Sequence, residues 1–368
     1  MADRKQSETP WLAALLIAVV FVLIAYFGAK IIRVVQSSAS SVHYTAVETE
    51  TVRDLCIADN CFIYYDGSSI HCINENGRER WNYAFGGSAS LNATSDGVAL
   101  WKGRQLVTIN LEKGETEISL NMDSEVLSAE VGSKYISVLL GPEHNSTCLI
   151  LERRGRKVNS FTVEDETVIR TGFFSGGSLL WVMSLNTTGT SPSCTIKTYR
   201  PGKEIVGTIS DSEQMLYDVV FENNTFRCTG DTYIKSFDYT GLNEDTSARK
   251  LVYGWFLAAV DESASDPLMA FVPIDEYSSS DHMQNLRLIR KNLDQQMRMP
   301  YPCFALTAKD DCVYGFSADG YLMIAREGET EVDCRPLSIT PTKFYGITVN
   351  HKIVVEAEGR IYLLSLSK

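Results

Sequence analysis

Residues 54–85 read DLCIADNCFIYYDGSSIHCINENGRERWNYAF, and four short runs inside that stretch, DLCIA, CFIYY, SIHCIN and RERWNYAF, decide the fold. Each run is rich in the β-branched and aromatic residues that suit a pleated, half-buried surface. Asp66-Gly67 separates the second run from the third, and Asn76-Gly77 the third from the fourth. Asx-Gly pairs supply the positive φ that tight hairpin turns need. The segment therefore predicts four antiparallel strands joined by short turns.

The same grammar returns at residues 90–120, with Asp96-Gly97 and Lys113-Gly114, and at residues 303–337, with Asp319-Gly320 and Glu327-Gly328. Marking the turn after each third strand gives Gly77, Gly114, Gly155, Gly202, Gly241, Asp294 in place of a glycine, and Gly328. Their intervals are 37, 41, 47, 39, 53 and 34 residues. A repeated unit of four short strands at this spacing predicts an all-β chain built as a β-propeller.

The last unit holds three strands, FYGITVN, KIVVEA and RIYLLSLS, before the chain stops at Lys368. Residues 42–51, VHYTAVETET, form strand-like sequence with no unit of their own. Pairing that segment with the last unit would close the ring and remove the open sheet edges. Residues 42–368 divided by about 41 residues per blade give eight blades; seven is the alternative.

The stretch YDGSSIHCINENGRERWNY, residues 65–83, resembles the repeat of quinoprotein-type (PQQ-like) propellers: a short strand, an Asn-Gly turn and a tryptophan close behind. The whole layout, a short tail, one apolar segment and an acidic propeller-like body, also resembles an uncharacterised family of membrane-anchored proteins from Firmicutes. The first resemblance implies a propeller fold. The second implies a cell-surface location without an assigned activity.

The membrane reading comes from residues 11–29, WLAALLIAVVFVLIAYFGA, nineteen residues without a charge, extended by Ile31, Ile32, Val34 and Val35. An apolar helix of that length crosses a bilayer core of about 30 Å. The run is longer than the apolar region of a cleaved signal peptide and continues past Lys30 and Arg33. The expected organisation is a cytoplasmic tail over 1–10, a transmembrane helix over 11–35, a linker over 36–41 and the propeller over 42–368. Arg4 and Lys5 before the span balance Lys30 and Arg33 after it. The shortness of the tail then decides for a signal anchor with the body extracytoplasmic.

Beyond residue 36 the chain keeps 30 basic against 44 acidic residues, a net charge of −14. That balance argues against nucleic acid as a partner. The nine cysteines, at 56, 61, 72, 148, 194, 228, 303, 312 and 334, match no zinc spacing and read as small, buried, strand-borne residues. There is no Walker loop, nucleophile elbow or H-E-x-x-H helix. No catalytic, cofactor-binding or metal set stands out, and no cofactor is expected.

The chain thus reads as a binding or scaffold module for a protein or cell-envelope partner rather than an enzyme. An envelope hydrolase or lyase is the alternative, with carboxylates converging at the propeller axis from different blades. Such a site requires no sequence spacing. The binding surface is expected where the repeat is stretched: residues 141–147, 186–193 and 275–284 lengthen the joint between the second and third strands of units three, four and six. Those joints all emerge on one side of the disc. They carry Glu143, His144, Asn186, Asp275, Tyr277 and His282, a polar set around one aromatic anchor.

Overall fold

The computed structural model describes residues 42–49, 51–174, 176–222, 225–262, 264–279 and 282–366. The tail, span and linker expected over 1–41 lie outside these residues. Among the described residues no helix is long and apolar enough to cross a membrane.

Eight four-stranded antiparallel sheets make up the described chain, each formed by consecutive strands except the last. Blade 1 contains Asp54–Ala58, Cys61–Tyr65, Ser69–Asn74 and Glu79–Ala84, so the four runs of the opening stretch are its four strands. Blades 2 to 7 begin at Ser90, Val126, Thr167, Leu216, Trp255 and Ala305. The first strands of blades 1, 2 and 3 touch in turn, as do those of blades 6, 7, 8 and 1. They therefore ring the axis, and the fourth strands form the rim.

Burial follows from this stacking. A second strand has a neighbouring blade on each face, so it needs apolar side chains in both directions. Cys61–Tyr65 is buried along its whole length, as is most of Tyr135–Leu140. Rim strands meet water and alternate, as Glu79–Ala84 does. Trp81 shows how blades lock: its indole N–H donates to the Leu111 carbonyl at 2.9 Å in blade 2. Its ring lies so close to Gly114 that a Cβ there would sit 2.5 Å from it, at a φ of +70°. Only glycine meets both conditions without strain.

The expected closure is present. Val42–Val47 is the fourth strand of blade 8, pairing with Arg360–Leu366 from Val42↔Leu366 to Val47↔Ile361. The Ser338 amide donates to the Tyr44 hydroxyl at 3.0 Å. Across the seam, Val349 N donates to the Asp59 carbonyl at 3.0 Å, and Asn350 and Thr348 both donate to the Glu75 carboxylate.

Strand direction assigns the two faces of the disc. Second-to-third loops and blade-to-blade connections share one face, here the loop face; the remaining turns share the other, the turn face. A fourth strand runs toward the loop face, so Val42 lies at the rim on the turn face. The chain thus reaches the disc on the side opposite its long loops.

One interval in the repeat has a structural cause that its turn residue does not show. The 53 residues between Gly241 and Asp294 include the excursion of blade 5 through a 3-10 turn, Thr246–Ala248, before a fourth strand of only two residues, Lys250–Leu251.

Candidate functional site: an axial cavity and a loop face

Charged residues are rare in the inner strands, and three of them meet near the axis. In blades 3, 4, 5, 6 and 8 the first strand carries a bulge where it pairs with the second. The extra residue re-aims the side chains downstream of it. In blades 4 and 5 the residues directly after the bulge are Arg170 and Asp218. Arg170 Nη1 donates to Asp218 Oδ1 at 2.7 Å, and Nη2 donates to the Glu262 carboxylate.

Glu262 comes from blade 6 on the far side of blade 5. It stands on the connection between Trp255–Val260 and Met269–Pro273, a joint of eight residues. The same joint is two residues in blades 1, 2 and 7. That extension carries a carboxylate to Arg170.

Together these strands bound a cavity of about 460 Å³, lined by Asn92, Thr94, Glu130, Arg170, Trp181, Phe221 and Glu262 among others. Most lining residues stand at the downstream ends of their first strands, so the cavity lies toward the turn face. The Arg170 guanidinium lies 5.7 Å from the centre of the Trp181 ring. Trp181 is 3% exposed, and its indole nitrogen lies against the backbone of Gly172. The indole N–H has no hydrogen-bond acceptor in the described protein.

Burial works against the charge of Arg170, but Glu262 and Asp218 more than offset it and raise its pKa. Burial also lifts the Asp218 carboxyl above its ordinary range despite the arginine beside it, so Glu262 is the main support of that cation. Glu130 differs. Burial pushes its carboxyl up to about 7, opposed by the Phe173 N–H and Arg170 and reinforced by Glu262 and Asp96. The Phe173 amide donates to Glu130 Oε1 at a long 3.4 Å.

The residues expected at the binding surface fall into two groups. Glu143 lines a second cavity, of about 290 Å³, between blades 3 and 4, whose wall includes Arg170 and Thr171. His144 forms a β-bridge to Thr167 beside it. Asn186 turns inward on its own loop, accepting from the Thr188 amide at 2.8 Å and hydroxyl at 2.7 Å. Asp275 and Tyr277 lie on a short helix, Ile274–Ser278, and the His282 amide donates to the Ser279 carbonyl at 3.2 Å. The hydrogen bonds of Asn186 stay within its blade 4 loop, the Tyr277 ring meets Phe256 of blade 6, and His144 lies against Thr167 of blade 4. The six residues share the loop face.

Glu276, inside the stretched joint over 275–284, holds the blade 6 loop. Its carboxylate accepts from the amides of Gln284 and Asn285 at 2.7 and 2.9 Å. The Tyr277 ring packs at a 30° tilt against Phe256 at 4.1 Å, and Phe256 stacks on Tyr217 at 4.8 Å. The Ile274 amide donates to the Gly254 carbonyl, which brings exposed Ile274 beside exposed Tyr253. Five of the nine exposed large hydrophobic residues among the described residues, Met215, Leu251, Tyr253, Ile274 and Tyr277, belong to the loop face at blades 5 and 6. That clustering exceeds the scattered single exposures of an ordinary surface.

Sequence reasoning misses Glu130, Arg170, Trp181, Asp218 and Glu262. A usable signal exists for three of them: a single charge inside an otherwise uncharged inner strand, as in VLSAEV and TVIRTGFF, or a charge near the start of an inner strand, as with the aspartate of LYDVVFE. Among the described residues, no three His, Cys, Asp or Glu side chains are grouped as metal ligands.

The geometry defines an eight-bladed β-propeller. No protein-family model and no curated protein matches the chain. Solved structures share the fold at low identity. The C-terminal WD40 domain of Sif2 aligns at 9% identity and a TM-score of 0.60, covering 88% of this chain and 98% of its own. BamB from Moraxella catarrhalis aligns at 10% identity and 0.56, covering 88% and 99%. Sqt1 from Saccharomyces cerevisiae aligns at 9% and 0.56, covering 89% and 99%. At such identities the likeness extends to the fold alone.

Proposed function

We propose that this chain is a membrane-tethered binding module, held by a helix over residues 11–35 with its propeller on the extracytoplasmic side, that docks a protein on the loop face of blades 5 and 6. The observation that carries the reading is the apolar cluster of Tyr253, Ile274 and Tyr277, with Tyr277 braced by the Phe256 and Tyr217 rings. An exposed aromatic held by ring packing loses little conformational entropy on contact, the property that marks interface anchors. The −14 charge beyond residue 36 favours a partner with basic rim residues.

Crosslinking in intact membranes followed by affinity capture tests this. Tyr253→Ser with Tyr277→Ala should remove the captured partner while leaving the melting temperature within about 2 °C, as expected for surface sites. Unchanged capture would place docking elsewhere. An impermeant protease added to intact cells should cleave the propeller; protection until lysis would reverse the orientation.

The convergence of Glu130, Asp218 and Glu262 favours a second reading, an envelope hydrolase or lyase acting at the axis. Acid–base cleavage by paired carboxylates needs both groups available to the substrate. Arg170 engages two of the three, so neither Asp218 nor Glu262 stands free beside Glu130. Cleavage of purified wall polymer by the native chain but not by Glu130→Gln would establish this reading over the first.

A further inference from the structure

We infer that the axial cavity is a binding site for a small protonated amine that also carries an oxygen, the amino-alcohol chemistry of an amino sugar or an ethanolamine-type headgroup. This goes beyond protein docking: it concerns the opposite half of the disc and residues that the loop face does not use.

The first support is charge. Arg170 is the single cation among the lining residues, against Glu130 and Glu262 in the lining and Asp218 behind it. One positive charge cannot balance two carboxylates, and Glu130 adds a third as it ionises. Solvent reaches Arg170 and Glu262, which are 40% and 54% exposed, so the poorly screened part of the excess is Glu130, whose carboxyl burial lifts. An ammonium group placed between Glu130 and Glu262 would relieve it with charged hydrogen bonds.

The second support is independent of charge. The Trp181 indole N–H lines the cavity on a residue 3% exposed and has no acceptor. That N–H meets only the solvent of the cavity, which a ligand oxygen can replace as its acceptor. A bare alkylamine cannot supply that oxygen, and a neutral diol cannot supply the cation. A volume of about 460 Å³ holds a molecule the size of a monosaccharide but not a folded peptide segment.

Glu130 makes the site sensitive to pH. The groups that face it are the Phe173 N–H and Arg170, which favour its ionised form, and Glu262 and Asp96, which disfavour it. With its carboxyl at about 7, the fraction ionised rises about tenfold between pH 6 and pH 8. Amine affinity should rise with it.

The experiment is titration calorimetry on the full chain in detergent micelles with ethanolamine, ethylene glycol and propylamine. Ethanolamine should bind, with each of the other two at least about tenfold weaker. Its affinity should climb severalfold from pH 6 to pH 8, and Glu130→Gln should remove most of that climb and about tenfold of the affinity at pH 8. Glucosamine carries the same unit, and whichever of the two amines binds tighter tells an amino sugar from a headgroup-like amino alcohol. Equal binding of ethylene glycol, equal binding of propylamine, or a flat pH profile of the native chain would each overturn the inference. The native profile decides even if the variant does not fold. Loss of docking by the Tyr253 and Tyr277 variants leaves this site untouched, so the two readings fail separately.

Discussion

Val47→Ala tests whether the N-terminal strand holds the ring shut. Val47 is 2% exposed and packs in a cluster with Leu55, Phe62, Tyr64 and Ile73 of blade 1 and Val354, Ile361 and Leu363 of blade 8. It therefore bridges the first and last blades. Removing two carbons forfeits about 1.6 kcal/mol of transfer free energy at ~0.8 kcal/mol each. The space left, about 50 Å³ if nothing relaxes, adds up to about 1.2 kcal/mol. A loss of roughly 2–3 kcal/mol follows. Unfolding entropy of about 2.1 cal/mol/K per residue over roughly 325 residues converts it to a drop of about 3–4 °C. Thr45→Ala, at an exposed position of the same strand, should move the melting temperature by less than about 1 °C. Differential scanning calorimetry of both variants reads the difference. Equal melting of Val47→Ala and the native chain would mean that residues 42–47 are not docked, and the closure argument would fail.

Three further outcomes concern the buried groups. All nine cysteines are free thiols, six of them buried, and burial pushes Cys148 and Cys303 up to about 12; a colorimetric thiol assay should read slow, partial reaction in the native chain and nine thiols after denaturation, whereas fewer than nine would reveal disulfides. Glu130 binds its proton more tightly folded than unfolded, so between its ordinary carboxyl range and about pH 7 stability falls as pH rises. Glu130→Gln should then melt higher than the native chain at pH 8 and equal to it near pH 4; a variant less stable at pH 8 would show that the carboxylate form is favoured in the fold. Gly114→Ala forces a Cβ into the Trp81 ring at a positive φ, and should cost more than about 1 kcal/mol; a neutral effect on melting would mean that the blade 1 to blade 2 seam is looser than described.

Most of the architecture was legible in the sequence because it rests on local chemistry. Strand runs and Asx-Gly turns are read within ten residues, and blade 1 falls where DLCIA, CFIYY, SIHCIN and RERWNYAF place it. The closure, the most distant pairing in the chain, was also legible, because a unit missing one strand and a strand missing a unit imply each other. The stretched joints of blades 3, 4 and 6 were legible as lengths. Their chemistry was not: Asn186 satisfies itself within its own turn, and Tyr277 gains its rigidity from Phe256 and Tyr217.

Tertiary structure alone decided the axial site. Arg170 and Glu262 are 92 residues apart and meet because blades 4 and 6 face one shared axis. Ring closure fixes which inner-strand residues point at that axis, and single-residue bulges set their aim. Sequence patterning determines which side chains leave water, since that depends on neighbours two to four positions away. Which charges then find one another depends on how eight sheets wrap into a circle, a constraint that no local spacing carries.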